Sequence, residues 1–412
     1  MIIMKNIIVL LLFTAFLVPA TSAELTIPRF ELATLGRSID GEFSLNSSVS
    51  ADLEVTGGYK YGLTLGFTFD SYDLVKALAY RNFTFGHLSG SPGNVTIEDY
   101  NNLVDQVNER MNNQGTLHFR IIKATIRDLF NIPLELGFFI GDSDDFCSGD
   151  EFVTRFGNDS FGTDYRGLFY FPNGIAGDIT RRYNGIYGVR GTGVSLALSK
   201  WDMVIPMVYV YQNFSPFSKP GIMGGTSLSS IDARFLINHP KIKAETFAGF
   251  SHSKDDGLML RGGLLGLFGA GNDIQFLIQG GLSGWEVDKQ LTIDNFYFLM
   301  EPRFTFGMFN LYGTLFFHPV IYHNIPSDSE RGKMDLNLKF FFHLPQSGFV
   351  SGVESNLGFN VKKMEEFSFK ISPFFSFIGS GIRWDTKLRV NVLEVDNPGQ
   401  LLELFLGIQT AF

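Results

Sequence analysis

Tyr59-Lys60-Tyr61-Gly62-Leu63-Thr64-Leu65-Gly66-Phe67-Thr68-Phe69 decides the fold. Its odd positions are aromatic or aliphatic throughout, and its even positions are Lys60, Gly62, Thr64, Gly66 and Thr68. Successive side chains of a strand point to opposite faces, so this is a ribbon with one greasy side. Upstream, residues 41–55 read the same way, with Phe43, Leu45, Val49, Ala51, Leu53 and Val55 set against Glu42, Ser44, Asn46, Ser48, Asp52 and Glu54. Downstream the pattern recurs over 228–238, 241–251, 258–269, 273–284, 294–306, 309–318, 334–343, 349–361, 367–378, 381–393 and 401–412. One face of each is apolar, for example Phe296, Phe298, Met300, Phe304 and Phe306. Asp294, at the first position of its segment, is the single charge on those faces, in a chain that is 18% charged. The other charges of these segments stand on the opposite faces.

Strands of soluble sandwiches average five or six residues, whereas a tilted membrane strand needs about 9–11. A charge facing lipid at mid-bilayer costs roughly 2–4 kcal/mol, which accounts for the empty faces. In lipid every backbone group must be paired, so such strands have to close on themselves. The pattern therefore predicts an all-β fold, a closed antiparallel transmembrane β-barrel of about 18 strands (roughly 16–20), beginning near 26–36. The connections agree. Residues 238–240, 269–273, 307–308 and 379–381 are tight turns, alternating with longer links at 213–226, 251–257, 284–294 and 319–333. Outer-membrane barrels carry short turns at the periplasmic end and long loops outside. Two large insertions, 70–116 and 141–185, fall in the long-loop phase; 79–88 and 164–171 read as strands or as folded loop. Pro302 and Pro373 stand mid-strand, where a ladder donor is lost, and predict bulges.

The chain opens with Lys5, an apolar run from Ile7 to Val18, and Thr21-Ser22-Ala23. That run is too short to cross about 30 Å of hydrocarbon as a helix, so residues 1–23 read as a cleaved secretory signal. Residues 24–412 then form a single barrel domain. A net charge of −9 excludes a nucleic-acid binder built on a basic face. One cysteine, Cys147, excludes a disulfide framework and a multi-cysteine metal site.

Few segments suggest chemistry. Residues 96–113 break the alternation, because Tyr100, Leu103, Val104, Val107 and Met111 follow helical spacing. Thr96 caps this short helix, which serves as a plug over the lumen or packs on an external loop. The acidic run from Asp142 to Glu151 resembles a calcium loop only superficially, since Cys147 and Val153 occupy the places of the required glycine and glutamate. It reads as a solvated acidic loop. The histidines His87, His118, His239, His252, His318, His323 and His343 form no metal spacing. No nucleophile elbow and no dinucleotide loop is complete. No cofactor, no metal and no catalytic residue is expected.

The terminal segment Phe405-Leu406-Gly407-Ile408-Gln409-Thr410-Ala411-Phe412 resembles the C-terminal signal of bacterial outer-membrane barrels, with Gly407 and Phe412 at its recurrent positions. The resemblance implies insertion by the barrel-assembly machinery into the outer membrane, with lipid as the surrounding partner. Porin-like barrels, and more distantly FadL-type transporters of hydrophobic compounds, are the nearest functional analogues. A solute channel would be lined by inward charges of both signs, for which Arg234, Lys243, Arg261, Glu301, Arg303, Lys339, Glu354, Arg383 and Arg389 are the candidates. Inward aromatics, among them Phe247, Tyr297, Phe316, Phe341 and Phe374, form an apolar path for fatty acids or the seat of an inserted loop. A third reading is a surface protein acting through its two large loops.

Overall fold

The computed structural model describes residues 23–39, 42–57, 59–71, 116–157, 161–163, 185–198, 203–214, 227–253, 257–317, 333–344, 347–360, 367–396 and 401–410. The leader 1–22, the helix expected at 96–113, the stretches 79–88 and 164–171, and Phe412 lie outside them.

The period-two segments are strands. In the first half these are β1 (Ala23–Ile39), β2 (Glu42–Gly57), β3 (Tyr61–Ser71), β4 (Thr116–Ile126), β5 (Leu134–Phe146), β6 (Tyr187–Leu198) and β7 (Val204–Phe214). β8 (Ser227–His239), β9 (Ile242–Ser253), β10 (Gly257–Phe268), β11 (Ile274–Glu286), β12 (Phe296–Phe306) and β13 (Phe309–Phe317) follow. β14 (Lys333–Leu344), β15 (Phe349–Asn360), β16 (Phe367–Gly379), β17 (Ile382–Asn391) and β18 (Leu402–Thr410) complete the order. All belong to one antiparallel sheet in which each strand pairs with its sequence neighbours. β1 is in register with β2 and also with β18, Leu32 opposite Val49 on one side and Ile408 on the other.

Alternation sorts the side chains as the sequence requires. Along β12, Phe296 and Phe298 are exposed while Tyr297, Leu299, Glu301 and Arg303 are buried. Across the sheet the exposed positions are large and apolar, such as Phe235, Leu264, Leu338, Phe340 and Val353. Asp294 lies in the short 3-10 turn Ile293–Asn295 ahead of β12, not on the wall.

The bulges expected at the two prolines are absent. β11 pairs through Pro302, opposite Phe276, and β15 through Pro373, opposite Val353. On the other edge the ladder skips from Met300–Leu315 to Arg303–Tyr312, and from Ile371–Val390 to Phe374–Lys387, without a change of register. A proline removes a single donor, which points to one neighbour only, so one edge loses rungs while the other holds.

Register shifts fall instead between Thr26 and Arg29, Gly66 and Phe67, Asp142 and Asp144, and Leu260 and Gly262, and the one on β5 goes with a change in the path of the chain. Gly141 and Gly191 face each other across the pair, with φ of 104° and 141°. An added methyl would lie 2.1 Å from the Arg120 carbonyl oxygen at position 141, and 2.0 Å from that of Gln212 at position 191. β4 stays paired to β5 only as far as Ile121–Gly141, and β7 to β6 only as far as Thr192–Gln212. The β5–β6 pairing nonetheless continues to Phe146–Tyr187. From the glycine pair onward, therefore, this ribbon leaves both neighbours and folds to the inside.

Gly191→Ala puts a Cβ into that contact at a φ disfavoured for other residues. It should lower folding stability by more than about 1 kcal/mol in urea titrations; an unchanged midpoint would show that the bend does not need glycine.

Candidate functional site

The inserted ribbon brings an apolar tip against the inner wall. The Phe146 ring centroid lies 5.0 Å from that of Phe247 on β9 and 5.1 Å from that of Tyr209 on β7. Ile186 reaches the wall where β10 and β11 carry Gly263 and Gly281, and a methyl at either would come within 2.6 and 3.1 Å of its Cδ1. Beyond Cys147 the chain forms a short helix, α1 (Glu151–Phe156), whose Phe152 is fully buried against Phe161, with centroids 4.4 Å apart. Tyr297, Leu299 and Phe316 belong to the same buried cluster. Thus Phe247, Tyr297 and Phe316 of the apolar candidates sit beneath packed protein.

Charges hold the ribbon in place. Arg234 on β8 binds Glu245 on β9, Nε to Oε1 at 2.8 Å, and both side chains are buried. The same guanidinium lies 5.1 Å from the centre of the Phe146 ring and 3.7 Å from the Asp144 carboxylate of the ribbon. Glu245 also accepts the backbone N–H of Cys147, and Gln279 donates to the Cys147 carbonyl. Asp144 receives Lys123 at 3.4 Å. The run read as a solvated acidic loop is thus strand as far as Phe146 and, at Asp144, buried and paired. Asp144 meets the wall cations Lys123 and Arg234, whereas Asp142 pairs with Arg190 of β6 and Glu151 with Arg155 of α1.

A second node secures the other edge of the ribbon. Arg261 on β10 grips both carboxylate oxygens of Asp232, at 2.7 and 2.8 Å. It also donates to Tyr211 at 3.1 Å and to Ser251, and stacks 4.3 Å from the ring centre of Tyr187. The Tyr211 hydroxyl donates to Asp232 at 2.7 Å and lies 3.0 Å from that of Tyr187. Further along the wall, Glu301 on β12 accepts the Thr163 and Thr314 hydroxyls at 2.5 and 2.8 Å, while Arg303 donates to the Gly162 carbonyl at 2.8 Å. Arg303 closes this node on Glu301. Arg155 of α1 joins Glu151 and Glu135, at 2.8 and 2.9 Å. Burial works against that cation, but the two carboxylates outweigh it and hold Arg155 protonated. Burial, reinforced by the Glu245 carboxylate, pushes the Cys147 thiol well above its ordinary value.

The remaining candidates, apart from Lys243 on β9, lie on β14–β18. The Lys339 ammonium lies 5.2 Å from the Phe341 ring centre and 4.8 Å from that of Phe374. Lys387 pairs with Glu354, and Arg389 with Glu403. Arg383 is exposed near the turn, 2.9 Å from Asp385. Lys243 is half-buried, in register with Leu267 and Asn238. Gly407 lies on β18 between Asp385 and Ala33. Alternation set these charges on the face opposite the apolar one, but residues carried by the inserted segment, Phe146, Cys147, Arg155, Thr163 and Tyr187, had no such signal. Gly141 and Gly191 were the available clue.

Fold and site together define a class: an antiparallel β-sheet protein with an apolar outer face and an internal ribbon held by paired charges. Solved structures similar to it include a mutant of the Rh. blastica porin, 7% identical with a TM-score of 0.41, covering 94% of this chain and 100% of that one. OccAB4 of Acinetobacter baumannii is 11% identical with a TM-score of 0.49, over 95% and 98% of the two chains. The outer membrane protein opdK from Pseudomonas aeruginosa is 10% identical with a TM-score of 0.48, over 94% and 98%. No protein-family model and no curated protein matches the sequence.

Two outcomes follow from the packing. Arg234→Met leaves Glu245 buried without its cation and should cost about 3–5 kcal/mol in denaturant unfolding; a variant as stable as the parent would contradict the pairing. Cys147, buried and with a raised thiol, should resist maleimide in the folded protein and react only after unfolding. Rapid labelling of the native state would mean that the ribbon tip is not seated.

Proposed function

We propose that the chain is a channel of the bacterial outer membrane, its sheet closing as an 18-stranded transmembrane barrel through which small solutes pass beside the inserted ribbon. The observation that carries this reading is the division between the two faces, large apolar side chains outside and charged or hydrogen-bonding groups inside. A wall facing acyl chains requires the first, and the second suits a polar lumen. A barrel of this strand number is wide enough to hold both an inserted segment and an aqueous path. Residues 1–23 serve as the export signal in this reading, and Gly407 with Phe412 as the mark read by the barrel-assembly machinery. The charges on this face are of both signs and several are paired, as Arg234 with Glu245 and Arg261 with Asp232, so the lumen does not select strongly by ionic sign. An apolar ligand path is not favoured, because Phe247, Tyr297 and Phe316 are buried in one packed cluster with Phe146 and Phe152.

Purified protein in planar bilayers should give discrete, voltage-stable conductance steps. Replacing 143–188 by a short Gly-Ser linker should enlarge them. A folded, inserted barrel that passes no current would dispose of the channel, and an unchanged step after excision would show that the ribbon does not narrow the path.

A further inference from the structure

The β12–β13 hairpin differs from the other tight connections in having no polar side chain at its tip. Phe306, Gly307, Met308 and Phe309 run through the turn, with Phe306, Met308 and Phe309 all exposed. At the same end, the neighbouring β10–β11 turn carries Asn272 and Asp273, and the β8–β9 turn His239 and Lys241. The apolar tip continues the outer wall. Phe306 stacks on Phe304 with centroids 6.5 Å apart and planes at 6°, and Phe309 stacks on Phe340 at 5.9 Å and 8°.

Two physical features suit this turn to a medium without water. The Met308 carbonyl of the turn accepts the His343 N–H of β14 at 2.9 Å, and just before the turn the Thr305 N–H of β12 donates to the Asp273 carbonyl at 2.7 Å. In hydrocarbon such pairing is obligatory, whereas water would supply it. The wall here is also tall. The 11 residues of β12, at about 3.3 Å each and a tilt of about 40°, rise about 28 Å, already the full height of an apolar band of about 25 Å. Beyond the turn end of the strand the apolar surface continues at Met308. An apolar surface taller than the bilayer core is covered by tilting the barrel or by lipid wrapping its edge.

We propose that the Gly307–Met308 turn is inserted into the membrane leaflet at the tight-turn end, with Met308, Phe306 and Phe309 against acyl chains. This rests on the membrane-barrel reading and adds a lipid-anchored point on one side of the rim. The test uses single cysteines at Met308, Asn272 and Phe298 in a Cys147→Ser background, labelled with an environment-sensitive fluorophore. The full chain is folded into phosphatidylcholine vesicles with or without bromine on the upper acyl carbons. Met308→Cys should show blue-shifted emission quenched by brominated lipid, as Phe298→Cys does on the exposed outer wall near the other end of β12, while Asn272→Cys stays red-shifted and unquenched. Quenching at 298 with none at 308 would overturn the anchor and leave the barrel standing. No quenching at 298 would overturn both. Protection of 308 that grows with protein density and ignores bromine would assign the turn to a second copy of the chain, which also overturns the lipid contact. If the label at 308 blocks folding, Phe306→Cys reports the same contact with the same two outcomes.

Discussion

A charge withdrawn from water has to meet an opposite charge or a hydrogen bond, and the interior of this protein is organised by that requirement. Asp232, Arg234, Glu245, Arg261 and Glu301 are almost completely buried. None of them could stand on a bare apolar wall. Arg261 closes on Asp232 with both oxygens, and Arg234 closes on Glu245. The inserted ribbon then completes the shells with its own groups: the Cys147 N–H on Glu245, the Tyr187 ring over Arg261, and the Thr163 hydroxyl on Glu301. The wall charges and the ribbon are thus partners in one network, and each fixes the geometry of the other.

Much of the architecture was legible in the sequence because a strand has an exact two-residue period and a one-sided environment. Phe296, Phe298 and Phe306 could be assigned to the outer face, and Tyr297, Glu301 and Arg303 to the inner, without knowing any contact. What alternation cannot reveal is what stands opposite an inward residue. Phe247 and Phe341 look alike in sequence, yet one lies against Phe146 of the ribbon and the other beside the Lys339 ammonium. Nor does residue type disclose the bend. Asp142, Ser143, Asp144 and Asp145 have the composition of a solvated loop, and only the chain path places Asp144 between Lys123 and Arg234. Gly141 and Gly191 were visible, but glycine is common in this chain, and a mirror-image φ leaves no mark on the sequence. The prolines misled in the opposite direction, since Pro302 and Pro373 interrupt one edge of the ladder without displacing it.

The wall and the ribbon also fit sterically. Gly263 and Gly281 stand side by side on β10 and β11 where Ile186 arrives, and the ribbon tip fills the space their side chains would have taken. Gly249 does the same for a charge: a Cβ there would strike the Asp232 carboxylate, which lies flat along β9 in order to meet Arg261. Small residues facing inward are therefore footprints of groups that come from elsewhere in the chain. A glycine in a strand interior with no group packed over it would gain nothing and would weaken its strand.

These features decide between a fixed insert and a swinging one. A gate that leaves its seat must exchange every contact for water at small cost, as exposed loops do. Here withdrawal of the ribbon would remove a backbone donor from Glu245, a ring from Arg261 and a hydroxyl from Glu301, and would uncover Phe146 together with the aromatic side chains beneath it. It would also undo a bend at which both strands have already left their neighbours, with no pairing on the wall for them to resume without reversing the φ of two glycines. The ribbon is accordingly part of the wall's own stability, fixed in shape by the contacts it shares with the sheet.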